Sequence, residues 1–419
     1  MSKYKLSYYT IDLVKDGYVA DTKEGVTPVY NTLRGKFGYI PDDIDYDNPP
    51  EQLLKEGFIV PYNIDEPQQY KQAQIKAIND EYPSKVFLTI CTTMRCNFNC
   101  AYCFEQGHRN ADMSPETLAD IITYIKNEID RNPNLKVLRI KWFGGEPLLR
   151  MDVIREISNF VIPYCLSRNI QYSAEIITNG YLLTKEVSQE LFDLSVKRAQ
   201  IALDGFEQDY IATRQAPNDA FKRVLSNIEN SAIPVVIRLN TTRTNMTKII
   251  DLFEYLYNKF ERNKENLNIS ISRVKDYGNS LTVGFTDKEW LTFRKRQTEF
   301  INKGCTGFIR IDRMGIIPCV NLQIRNVILC ADGFIYRCEN DVGFAKNSIG
   351  KINHGIDNIL LNKKYCCSTI NDNCMRCKYL PICCGGKCRY DEIHFGKSCE
   401  LIKGRFKQNM QNYLMVNPM

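Results

Sequence analysis

The sequence predicts an α/β protein built on a parallel sheet. Two observations carry this: six short β-branched runs lie between about Ser84 and Val274, and segments with apolar residues at helical spacing separate them. The candidate strands are "KVFLTICTT", "LKVLRIKWFGG", "IQYSAEIITNG", "AQIALDG", "PVVIRLNTT" and "LNISISRV". The candidate helices are "SPETLADIITYIKNEID", "DVIREISNFVIPYCLSR", "TKEVSQELFDL", "DAFKRVLSNIEN" and "NMTKIIDLFEYLYNKF". Such alternation means parallel strands joined by right-handed crossovers, in a doubly wound sheet or a barrel. In both, functional residues gather at the carboxyl ends of the strands.

The elements follow in order. Residues 1 to about 78 lack this rhythm; there "PPEQLLKEGFIVPYNIDE" predicts a helix and then a strand, in a small separate module. Two helices of the array open on cap signals, Ser114 before Pro115-Glu116 and Thr184 with Glu186 behind it. From Thr286, "DKEWLTFRKRQTEFINKG" predicts a helix leading into a region that carries twelve of the 17 cysteines and runs to Cys399. Three domains result: 1–78, 79–285 and 286–419. No internal repeat and no low-complexity linker separates them.

Composition narrows the function classes. With 419 residues, 44% hydrophobic and 25% charged, the chain has the make-up of a soluble protein of two or three domains. The net charge of +6 is spread out, with no basic block, which disfavours a nucleic-acid partner. No stretch reaches the length of a membrane span, and the N-terminus lacks a secretory signal, so a cytoplasmic location is expected. In a reducing compartment, 17 cysteines point to metal rather than disulfides. With only three histidines, His108, His354 and His394, all-thiolate ligation is favoured.

Cys96, Cys100 and Cys103 stand directly after the first strand of the array, separated by three and two residues. Three thiolates can bind three irons of a cubane and leave the fourth open, as a catalytic metal site needs. Zinc would want a fourth ligand; Cys91, upstream on the strand, is more simply a half-buried core thiol. This CxxxCxxC, with Tyr102 before its last cysteine, resembles the radical S-adenosylmethionine (SAM) enzymes. The resemblance implies a partial (β/α)6 TIM-like barrel and a [4Fe-4S] cluster whose open iron chelates SAM. It also implies reductive cleavage of SAM to a 5'-deoxyadenosyl radical, with Tyr102 beside the adenine.

Further motifs agree. "WFGGEP", Trp142 to Pro147, ends the second strand; Gly144 and Gly145 allow close backbone approach, and Glu146 can accept from an ammonium. It resembles the family's GGEP motif, which holds the SAM amine. "TNG", with Thr178 and Asn179, closes the third strand and "LDG", with Asp204, the fourth; each also reads as an ordinary turn. Arg214 follows where the family often places an arginine near the SAM carboxylate. This chain departs from the resemblance at two places: relatives often have Ser where it has Ala202, and His-Asp where it has Tyr210-Ile211. On the fifth strand Arg238 and Asn240 share one face, a cofactor or substrate contact or a satisfied interior pair.

The later cysteines, Cys319, Cys338, "CMRCKYLPICCGGKC" and Cys399, resemble the SPASM extension of these enzymes, which usually holds two auxiliary [4Fe-4S] clusters. By that pattern Cys319, Cys338 and Cys388 belong to the first, and Cys374, Cys377, Cys399 and either Cys383 or Cys384 to the second. "YLPIC" favours Cys383. For the remaining ligand of the first, an Asp332-Gly333 two-residue turn would pair Val327 with Cys338 and turn Cys330 to the opposite face, favouring Cys305. A three-residue turn would reverse that parity. Cys165, Cys366 and Cys367 read as structural thiols.

Members with this extension mostly modify peptides or proteins. "LLKEGFIVPYNIDE" is similar to the lead-in of maturases of ribosomally made peptides, where a winged-helix-like unit grips a leader, here by β-addition to an edge strand. A structural cap is the alternative. The resemblance therefore implies a precursor peptide partner, an external flavodoxin- or ferredoxin-type electron donor, and a thioether or carbon-carbon crosslink as product. Sulfatase maturation to formylglycine is the competing activity; its family carries an aspartate base where this chain has Glu339, a candidate catalytic residue or an exposed charge. An iron-sulfur electron carrier or scaffold is the non-enzymatic reading.

Overall fold

The structure, a computed structural model, describes residues 2–19, 24–105, 111–261, 267–274, 284–296, 314–386, 388–396 and 399–418. They form two compact units. One comprises Met1–Asn79, Asp287–Leu322 and Cys366–Met419, the other Asp80–Thr286 and Gln323–Tyr365.

In the first unit, β1 (Tyr4–Leu6) pairs antiparallel with β5 (Ile59–Pro61), and β2 (Thr10–Asp12), β3 (Val26–Asn31) and β4 (Lys36–Pro41) form a three-stranded antiparallel sheet. Helix α1 (Glu51–Glu56) ends on Gly57, whose φ of 77° suits glycine. Helix α2 (Glu66–Ile78) starts from Asp65, which accepts from the Gln68 N–H at 3.0 Å. The helix and strand expected from "PPEQLLKEGFIVPYNIDE" are α1 and β5.

The separate N-terminal domain does not survive. Ile11 and Tyr30 pack with Ile382, Phe406 and Met410 in one cluster, while Tyr70 and Gln74 of α2 bond Gly315 O at 2.5 Å and Cys384 O at 2.9 Å. The reason is physical: strands this short cannot bury their own apolar face, so they close on the cysteine-rich segment.

The second unit is a ten-stranded sheet. Its array runs β6 (Lys85–Cys91), α3 (Pro115–Asp130), β7 (Val137–Phe143), α4 (Met151–Leu166), β8 (Gln171–Thr178), α5 (Lys185–Asp193), β9 (Val196–Leu203), α6 (Glu207–Arg214), α7 (Ala220–Glu229), β10 (Val235–Thr241), α8 (Ile249–Leu256) and β11 (Leu267–Arg273). All six expected strands form. Ser114 and Thr184 cap α3 and α5 as their sequences predict. Strands β6 to β11 are parallel, and each lies beside its chain neighbour. That order is singly wound, the winding of a partial barrel; right-handed crossovers then put every helix on one face and leave the other for a site. Ile90, Ile140, Ile176, Ile201 and Ile237 are buried, as are Ile121, Ile125, Ile154 and Ile157 of α3 and α4.

The cysteine-rich region is also divided. β12 (Val327–Cys330) extends the sheet parallel to β6, and β13 (Phe334–Tyr336), β14 (Gly350–Lys351) and β15 (Gly355–Ile356) follow it. The β12–β13 register corrects the two-residue turn: Leu329 faces Ile335 and Ile328 faces Tyr336, so Ala331, Asp332 and Gly333 make a three-residue loop. Gly333 sits at φ 83°, the left-handed position such a loop requires. No described helix is long and apolar enough to cross a membrane.

Candidate functional site

The site lies in the sheet unit, where loops after the strands interlock. The loop after β6 carries Cys96, Cys100 and Cys103, all partly exposed and free of disulfides. Its backbone is fixed from two sides. Gly145 N–H donates to Thr93 O at 2.9 Å and Glu146 N–H to Arg95 O at 2.8 Å; across the sheet, Asn99 N–H donates to Arg214 O at 3.0 Å and Ala101 N–H to Thr213 O at 3.0 Å. A Cβ on Gly144 would stand 2.3 Å from Thr93 O, and one on Gly145 2.2 Å from Arg95 O. These two glycines therefore admit the β6 loop itself, rather than only a ligand.

Glu146 is fully buried, and its carboxylate accepts from Thr178 Oγ1 at 2.7 Å, Asn179 N–H at 2.7 Å and Leu148 N–H at 3.1 Å. Burial pushes its carboxyl up to about 6, against the lowering effect of those donors. The side chain so engaged is a clamp between the ends of β7 and β8. Pro147 follows it, buried, at the start of a single 3-10 turn. Asn179 continues the link: its Nδ2 donates to Asn97 Oδ1 at 2.7 Å and lies 3.9 Å from Cys96 Sγ.

A second network joins β6, β9 and β10. Tyr102 donates to both carboxylate oxygens of Asp204 and accepts from Arg214 Nη2 and Asn240 Nδ2, each at 3.0 Å. Arg214 also pairs with Asp204 through Nε, and both are buried. Burial holds the Tyr102 phenol well above its usual range, and Asp204 keeps Arg214 charged against its own burial. Asn245 donates to Asp204 O at 2.6 Å and Asn240 O at 2.9 Å. The structure thus brings together Tyr102, Gly144, Gly145, Glu146, Thr178, Asn179, Asp204, Arg214 and Asn240. Arg238, beside Asn240 on the same face, joins no described hydrogen bond or ion pair.

Among the described residues no three His, Cys, Asp or Glu side chains converge as a metal site. The fit to a cluster is one of donor chemistry: three partly exposed thiols, none in a disulfide, on one clamped loop, with a neutral amide donor near one sulfur. Cys91 is a core thiol, packed with Met94 and Cys330.

Cys338 belongs to the sheet unit, whereas Cys319, Cys374, Cys377, Cys383, Cys388 and Cys399 belong to the other; Cys305 lies outside the described residues. The corrected hairpin removes the parity argument for Cys305, but Cys330 is itself fully buried in the sheet core. Cys383 is pushed up to about 12 by burial, with charge on Cys377, Cys384 and Cys374 adding to it, and Cys377 in turn feels Cys374 and Cys399. Cys384 turns away: its sulfur lies 3.1 Å from Gly315 O.

Sequence reading missed two members. Lys141 of β7 pairs with the Glu339 carboxylate, so that candidate base is held by an ammonium. Asp112 bonds Thr93 Oγ1 at 2.5 Å and Arg95 at 2.6 Å, steadying the loop from outside. Neither carries a local signal, since each acts on a partner distant in sequence.

Comparison with known proteins identifies residues 90–256 with the radical SAM superfamily. The radical SAM cyclopropyl synthase TigE of Paramaledivibacter caminithermalis is 24% identical over 264 residues, 58% of this chain and 52% of that protein. The chain spans about half the length of the curated relatives it matches, GTP 3',8-cyclases among them. Native anSMEcpe with bound AdoMet shares the fold at 17% identity and a TM-score of 0.60, over 80% of this chain and 100% of that one. Streptococcus suis SuiB bound to precursor peptide SuiA does so at 15% identity and 0.53, over 94% and 99%. Residues 90–256, with the thiols of Cys96, Cys100 and Cys103 on the loop after β6, are thus the part of this chain that matches the radical SAM superfamily.

Proposed function

We propose that the protein is a radical SAM peptide maturase that abstracts hydrogen from a ribosomally made peptide and lets it form a thioether or carbon-carbon crosslink. The observation that carries the reading is the clamped cysteine loop: the ends of β7, β8, β9 and β10 hold the loop around Cys96, Cys100 and Cys103 while the thiols stay partly exposed. Those thiols would hold a [4Fe-4S] cluster, which when bound supplies the electron for reductive cleavage of SAM. Gly144, Gly145, Glu146 and Pro147 set the height of the loop, Thr178 and Asn179 lock it, and Tyr102, Asp204, Arg214 and Asn240 fix its far side.

Peptide chemistry is supported by two likenesses of fold, to SuiB with its precursor peptide and to anSMEcpe with the Cp18Cys peptide. Two auxiliary clusters complete the proposal. Cys374, Cys377, Cys383 and Cys399, which lie in one unit, are assigned to one; the assignment of Cys305, Cys319, Cys338 and Cys388 to the other rests on sequence resemblance alone. The N-terminal segment is assigned to a leader peptide, with β4 as the edge strand available for β-addition. An external flavodoxin- or ferredoxin-type protein would deliver the electron, in the cytoplasm.

Formylglycine formation is the second reading, and the carboxylate of Glu339 after Cys338 is what favours it. The test is anaerobic reconstitution with iron and sulfide, then SAM and dithionite. Formation of 5'-deoxyadenosine, absent in Cys96→Ala, is expected; the same blank in both sinks the enzyme reading. Loss of two hydrogens from a peptide encoded beside the gene supports crosslinking, and formylglycine in a sulfatase peptide overturns it.

A further inference from the structure

Arginines of the sheet unit are almost all engaged. Arg95, Arg131, Arg150, Arg155, Arg168, Arg198 and Arg214 form ion pairs, Arg325 and Arg337 bond backbone carbonyls, and Arg139 and Arg223 lie over aromatic rings. Arg243 and Arg273 have partners too. Arg238 is different: its Nε is buried and unbonded like that of Arg273, but Arg273 donates to Phe285 O through Nη2, whereas no described group accepts any hydrogen bond from Arg238. A buried donor left unmade costs about 1–3 kcal/mol, so such a group calls for an acceptor that arrives from outside.

Its position says which side the acceptor enters. On β10, Val235, Ile237, Leu239 and Thr241 are buried, and Val236, Arg238 and Asn240 alternate with them on the face away from the helices. Asn240, one step further along that row, donates to Tyr102 in the cysteine loop. Arg238 therefore sits about 7 Å below a residue that touches the loop. Its in-register neighbours are small, Ala202 on β9 and Ser270 on β11, so no long side chain covers the guanidinium from either flank. Two acidic side chains near that face among the described residues are already used, Glu175 by Arg198 and Glu339 by Lys141.

We propose that Arg238 binds a carboxylate of the substrate, presented by an acidic side chain of the peptide and held by the planar guanidinium beneath the cysteine loop. The proposal rests on the peptide reading above for the source of that carboxylate. SAM also carries a carboxylate, and the experiment separates the two.

The reconstituted full-length protein is treated with phenylglyoxal under anaerobic conditions, and modification at Arg238 is followed by peptide mass spectrometry. The probes are N-acetyl-Gly-Glu-Gly amide, its Gln counterpart, and SAM alone. Expected is modification of Arg238 in the free protein, slowed about tenfold by Glu peptide at about ten times its Kd, where about one site in ten stays open, and unaffected by the Gln peptide at the same concentration or by SAM. Equal rates with the Glu and Gln peptides overturn the proposal, as does no modification of free Arg238. Protection by SAM alone gives the residue to the cofactor and overturns it too. Calorimetric binding of the Glu peptide should weaken about tenfold in Arg238→Gln, with an unchanged melting temperature showing that the fold is intact. If Glu protection holds while no peptide ever loses two hydrogens, the carboxylate site stands and the crosslinking reading falls.

Discussion

The hydroxyl of Tyr102 lies 2.8 and 2.9 Å from the two carboxylate oxygens of Asp204, so one residue of the cysteine loop is bonded directly to the end of β9. The same oxygen receives Arg214 and Asn240. It is the hub of a buried network in which every member depends on the others. Tyr102→Phe leaves two buried donors without their acceptor and should destabilise the apoprotein by about 2 kcal/mol. Arg214→Ala leaves the Asp204 charge buried without its counter-ion and should cost about 3–5 kcal/mol. Urea unfolding of both variants checks the order; equal losses would show that Tyr102 carries as much as the ion pair.

The glycines of the GGEP stretch make a steric prediction. Gly144→Ala and Gly145→Ala each set a Cβ within 2.3 Å of a backbone oxygen of the cysteine loop. The loop must move, and the three thiols move with it. Iron retained after anaerobic reconstitution should fall by one cluster's share in both, as in Cys96→Ala. Full iron content in either variant would show that the loop has room to give.

Glu146 gives a pH dependence with a definite sign. Its folded carboxyl titrates at about 6, above the ordinary range near 4.5, so the folded state binds the proton more tightly than the unfolded state. Its contribution to stability is greatest below the unfolded value and is lost as pH rises from about 4.5 through 6, by about 2 kcal/mol in all. Glu146→Gln, which cannot ionise, should remove that slope from the curve of unfolding free energy against pH. A slope unchanged in the variant would assign it to another group.

Adjacent cysteines should behave differently. Burial and the neighbouring thiols Cys377, Cys384 and Cys374 raise Cys383, whereas the sulfur of Cys384 lies 3.1 Å from Gly315 O. Cys383→Ala should therefore lower iron content by one cluster's share. Cys384→Ala should keep its iron and lose about 1–2 kcal/mol of stability from a buried side chain. The reverse pattern, read by iron and sulfide analysis, would exchange the two assignments.

The sequence by itself determined the alternation of strands and helices, the caps at Ser114 and Thr184, and the placing of Cys96, Cys100 and Cys103 after a strand. These are local: hydrophobic period, cap chemistry and motif spacing are complete within a few residues. Only the tertiary structure decided the rest. The single winding of β6 to β11 follows from which strands pair, and the merging of the N-terminal segment with the cysteine-rich one follows from apolar faces too small to close alone. The three-residue loop at Gly333 depends on a register that sequence parity left open. Glu146 as a clamp, Lys141 on Glu339 and the uncommitted Arg238 likewise depend on partners brought together by folding. Spacing along a chain specifies what each residue offers, but the pairing of strands decides what it meets.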